Sequence, residues 1–180
     1  MSENPTDNIP VFYACIPEAA DGPPIEIAWA TLGFKTYGVL CESRLIKPPA
    51  AWVREFARDP SALEAYVLDL SDLREFGTPT RVLATHMNET LAKRDLFSAT
   101  LADDTRLKRI FDAAKMEPDF ALLNDDAEEL IAELARLRGL SPKASARAKR
   151  EAEVMCLTGV RAEAQARYFA TYWGCVMRGN

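Results

Sequence analysis

One histidine, His86, is all that 180 residues provide. Metal centres built on several imidazoles, and relays between paired histidines, are therefore excluded. Four cysteines (Cys15, Cys41, Cys156, Cys175) are spaced without a C-x-x-C pair, which argues against a zinc site and for buried apolar thiols. No run of eighteen apolar residues occurs, so no transmembrane helix is expected. The polar, acidic start from Met1 to Asn8 lacks the basic and apolar regions of a signal peptide. A cytoplasmic location with reduced thiols is the expectation. The chain also lacks G-x-x-x-x-G-K-[ST], G-x-G-x-x-G and H-E-x-x-H, which removes the commonest nucleotide and zinc motifs. Positive charge is short overall: 22 Lys and Arg against 27 Asp and Glu give a net charge of −5. A general affinity for nucleic-acid phosphates needs the opposite sign.

What is present suits a single domain, residues 10–180, behind a loose tail at 1–9. Three strand-like runs come first: Val11–Ile16, Ile25–Leu32 and Tyr37–Ile46. The links between them, Pro17–Pro24 and Gly33–Thr36, are too short for parallel crossovers, so the three form an antiparallel meander. Helices follow. Ser61-Ala62-Leu63-Glu64 reads as a capping box. Thr78-Pro79 reads as an N-cap and first residue of a helix reaching Leu91. Asp95–Ala99 and Phe120–Leu123 read as strands, each followed by an amphipathic helix, Leu101–Lys115 and Asp125–Arg138. Ser141-Pro142 starts another helix, and Gly159 separates it from the last, Val160–Met177. Right-handed crossovers put the later strands parallel to the first. The expected fold is a mixed α/β sheet with helices on both faces, the ribonuclease H-like layout.

Particular segments carry a resemblance. Pro24-Ile25-Glu26-Ile27-Ala28-Trp29, then Leu70-Ser71-Asp72-Leu73-Arg74-Glu75-Phe76-Gly77-Thr78-Pro79, then the aspartates of Ala102-Asp103-Asp104, then Ala162, Ala166 and Arg167 occur in order. Together they resemble the DEDDh 3′–5′ exonucleases, the DnaQ-like and ribonuclease T-like group. The resemblance implies two divalent ions on four carboxylates, with a histidine as general base. In its register the first two carboxylate positions hold Ala14 and Ile16. The third holds Asp103, with Asp104 adjacent. The base position holds Val160 and the fourth carboxylate Gln165. Only Asp103 survives as a candidate ligand.

Magnesium binds through hard oxygen ligands, and a two-metal site clamps both reacting oxygens of a phosphodiester. One carboxylate leaves such ions unneutralised, and Val160 has no titratable atom. The expectation is an exonuclease-like domain without catalysis, acting in nucleic-acid or protein binding, with no cofactor. Two alternatives stand beside it. One is a divergent Mg²⁺- or Mn²⁺-dependent 3′–5′ exonuclease with ligands relocated to Glu18 or Asp21. The other is a structural module, with a second copy of the chain as partner. A membrane role is not expected. The candidate nucleic-acid contacts are Lys143, Arg147, Lys149 and Arg150, in a stretch free of acid from Arg136 to Arg150. Single-stranded nucleic acid is the candidate ligand. Tyr168, Phe169, Tyr172 and Trp173 read as packing residues of the last helix.

Overall fold

The computed structural model describes residues 9–17, 22–33, 38–123, 126–156 and 161–179. The N-terminal tail, the Gly33–Thr36 link, Glu18, Asp21, Gly159 and Val160 fall wholly or largely outside them. A six-stranded mixed sheet runs in the order β4-β3-β2-β1-β5-β6. Its strands are β1 (Val11–Ile16), β2 (Glu26–Leu32), β3 (Val39–Lys47), β4 (Thr78–Pro79), β5 (Asp95–Ser98) and β6 (Ala121–Leu123). The first three pair antiparallel. β5 joins β1 in parallel, and β6 joins β5 in parallel. This is the ribonuclease H-like α/β arrangement.

Burial explains the central strand. All six residues of β1 are buried, because helices cover both of its faces, and such a strand reads as one apolar run. Successive side chains still alternate. Phe12 packs on Phe97, Phe169 and Trp173 with ring centroids 6.1–6.2 Å apart, facing α8 (Ala162–Arg178). Tyr13 points the other way and bonds Asp104 of α5 (Leu101–Ala114). α4 (Thr80–Leu91) shares that second face, where His86 lies against Trp29 with ring centroids 5.9 Å apart. Behind α8 sit α6 (Ala127–Leu137) and α7 (Pro142–Met155). α7 buries Ala148 and Ala152, and α8 buries Ala162, Ala166 and Ala170. Small side chains on these facing stripes let the helices approach closely.

Two helices are additions to the sequence reading, and two expected caps need correction. α1 (Ala50–Arg58) and α3 (Leu70–Phe76) were not expected from the sequence. α1 has no side-chain cap to announce it and is held by Trp52 and Phe56, four apart on one buried stripe. α3 opens with a true capping box, Asp69 with Asp72. Ser61 is not a cap: Pro60 holds that position in α2 (Ser61–Ala65), and the Ser61 N–H and hydroxyl bond the Asp59 carboxylate. Thr78 is not a cap either. It pairs with Ile46 as β4, and Pro79 takes the N-cap of α4.

Candidate functional site

Asp103 sits at the third position of α5, where the helix begins against the end of β1. It is 1% exposed. Its Oδ2 accepts the Thr100 backbone N–H at 2.8 Å and the Thr100 hydroxyl at 3.1 Å, which closes a capping box. Its Oδ1 accepts the Cys15 backbone N–H at 2.9 Å and Arg106 Nη1 at 3.1 Å. An ionised carboxylate has about four lone-pair sites, and all four are taken from within the chain. Burial raises the Asp103 pKa, and the bonds from Cys15, Thr100 and Arg106 oppose that rise without cancelling it.

Arg106 is the largest fully buried side chain, at 0% exposure. One turn after Asp103, its guanidinium supplies the cation that the carboxylate faces. Its Nε and Nη2 have no hydrogen-bond partner among the described residues. Asp104, the neighbouring alternative for the third ligand position, accepts the Tyr13 hydroxyl instead. Burial, and then Asp104, push the Tyr13 phenol far above its ordinary range. Cys15 is wholly buried on the same side, and burial holds its thiol well above the usual value against the pull of Arg106.

Ala14 and Ile16 are fully buried and face α8, since they alternate with Tyr13 and Cys15. Gln165 is half-buried on α8, one turn before Phe169. Glu26, the register partner of Ile16, is buried and takes Arg161 Nε at 2.6 Å. Burial raises its pKa, and Arg161 works against it. Glu26 thus has a structural place beside the N-cap of α8. Among the described residues, no group of three or more His, Cys, Asp or Glu is placed to hold a metal ion.

The basic candidates separate into two kinds. Lys143, Arg147 and Arg150 are exposed on α7, share one face and have no ion pair among the described residues. Lys149 is half-buried between Ala148 and that face, and it bonds Glu128 of α6. Only three of the four therefore form an open patch.

Sequence reasoning missed Arg106. A signal existed: Arg106 lies three residues after Asp103 and four before Ile110, on the apolar face of α5. It also missed Glu42, which bonds both Arg44 and the His86 ring, the latter at 2.7 Å. No protein-family model matches this chain, and no curated protein matches it either. Among the described residues no helix is long and apolar enough to cross a membrane.

Proposed function

We propose that this chain is an exonuclease-like domain that binds single-stranded nucleic acid without cleaving it. The saturated Asp103 carboxylate carries the non-catalytic half of the reading. Every lone-pair site is occupied, and Arg106 supplies the positive charge where a divalent ion would otherwise be needed. Ala14 and Ile16 add no ligand beside Asp103. The binding half is supported by Lys143, Arg147 and Arg150, three exposed cations on one helix face. A chain of net charge −5 limits such binding to roughly micromolar or weaker, the range of non-specific phosphate contacts.

The test uses labelled single-stranded DNA and RNA in Mg²⁺ or Mn²⁺. The expected result is intact oligonucleotide together with salt-sensitive binding, and no saturable rise in melting temperature with either ion. A metal that bound the fold would stabilise it by mass action. Degradation that needs the divalent ion, and that is lost in an Asp103→Asn variant which still melts cooperatively, overturns the non-catalytic reading. Absence of binding at low salt leaves the protein-partner or structural role instead.

A further inference from the structure

Beside α4, on the opposite face of the sheet from α7, one edge of the sheet is only partly covered. β3 pairs with β2 from Val39 to Leu45, but with β4 only at Ile46 and Lys47. The Ile46 N–H bonds Ile25, so the alternation of an antiparallel ladder turns the backbone groups of Cys41, Ser43 and Leu45 outward. The parallel pairing of Ile46 with Thr78 already engages the outward carbonyl of Leu45, so Cys41 and Ser43 are the outward positions that β4 does not reach. The Ser43 carbonyl is taken by the Arg44 side chain at 3.0 Å, a guard of the kind that protects open edges.

Beside this edge lies a cleft of about 710 Å³, lined by Arg44 and Thr78 on the sheet and by Arg81, Val82, His86 and Glu89 on α4. Its charges are ordered along its length. α4 starts next to β4 and runs back along β3, because His86 meets Glu42. Arg81 therefore stands at the β4 end with Arg44, and Glu89 stands at the far end. Eight helical residues separate Arg81 from Glu89, about 12 Å at 1.5 Å per residue. Four residues of extended chain cover about 13 Å and return to the same face. Arg81 and Glu89 are exposed and have no ion pair among the described residues.

We propose that this cleft binds an extended peptide as an added strand, parallel to β3 and in line with β4. The peptide carries a basic residue four positions before an acidic one. Its main chain pairs with Cys41 and Ser43, up to the point where β4 takes over, after Arg44 releases the Ser43 carbonyl. Its basic residue meets Glu89, its acidic residue meets Arg81 and Arg44, and an apolar residue between them covers Val82, which is 57% exposed. Main-chain pairing supplies affinity in this mode, and alternate side chains supply specificity. The proposal stands whether or not α7 binds nucleic acid.

The probes are the fluorescein-labelled, amidated pentapeptide Lys-Thr-Val-Thr-Glu and its reverse, Glu-Thr-Val-Thr-Lys, followed by anisotropy. The forward peptide should bind about tenfold more tightly, the factor that one well-placed charge contact of ordinary size gives. Arg81→Glu combined with Glu89→Arg leaves Arg44 in place and should therefore remove or invert that preference, and both sites are exposed enough for the fold to tolerate the exchange. Ser43→Pro removes an outward N–H that β2 does not use, and should abolish binding of both peptides with the sheet intact. If Ser43→Pro melts the protein, the charge exchange decides alone. No binding of either peptide, equal binding of both, or a preference that survives the charge exchange overturns the proposal.

Discussion

The Arg106 guanidinium donates to Asp103 Oδ1 at 3.1 Å with the two side chains 0% and 1% exposed. Removing one partner of a buried pair leaves the other charge uncompensated, at a cost of about 3–5 kcal/mol. Arg106→Met should destabilise the fold by that amount in urea titrations. Adding Asp103→Asn should recover part of the loss, since it removes the charge and its one amide oxygen still accepts from Thr100 or from Cys15, though not from both. The pH dependence follows from the raised Asp103 pKa. An acid with a raised folded-state pKa stabilises below its unfolded value and loses that contribution as pH rises through the folded value. Arg106→Met removes an influence that lowers this pKa, so its deficit should shrink as pH falls from neutral into the acidic range. A deficit independent of pH would mean that Arg106 acts by packing alone.

Cys41 gives a prediction in the alkaline range. Burial pushes its thiol up to about 11. At pH 8 roughly one molecule in a thousand then carries the thiolate, against about a quarter for an ordinary thiol near 8.5. Since the thiolate is the nucleophile, iodoacetamide labelling at Cys41, mapped by mass spectrometry, should climb about tenfold per pH unit from 8 to 10. A rate that levels off near pH 9 would contradict this.

Gly77 is set by space rather than by backbone freedom. A Cβ there would lie 2.2 Å from the Leu73 carbonyl oxygen and 2.6 Å from the Lys47 backbone nitrogen. These are backbone atoms of α3 and β3 and cannot step aside. Gly77→Ala should cost about 1–3 kcal/mol, the usual range for overpacking, and should loosen β4 from β3. Gly22→Ala is the control, because its nearest neighbour is 3.5 Å away. Equal melting of the two variants would show that the junction yields.

Connection lengths carried much of this fold. Short links made β1–β3 antiparallel, and the strand–helix alternation after Arg94 placed β5 and β6 parallel to β1. The helices lost to sequence reasoning were short. α1 is nine residues and α3 seven, lengths at which periodicity speaks weakly and tertiary packing decides. Asp103 was legible as a position, but its state was not. An aspartate and an arginine three apart on a helix ordinarily form an exposed pair. Only the docking of α5 beneath Cys15 buries them. Glu42 and His86 are likewise brought together by the placing of α4 under β3, which no local pattern encodes.

The last prediction concerns α7. Lys143, Arg147 and Arg150 project from one face, while Ala148 and Ala152 fix the opposite face in the core. Three cations that neutralise three phosphates of a single strand give a slope of log K against log salt of about −2, at 0.7 per phosphate. Lys149 should add little to it, because Glu128 already holds its ammonium. Arg147→Glu with Arg150→Glu should therefore abolish anisotropy changes with single-stranded oligonucleotides and leave the urea midpoint unchanged, whereas Lys149→Gln should leave the slope near its native value. If Lys149→Gln lowers the slope as much as either arginine change, the Glu128 pair opens on binding and all four cations form the contact. If the native protein shows no slope at all, α7 is a solvated helix face and the binding role falls.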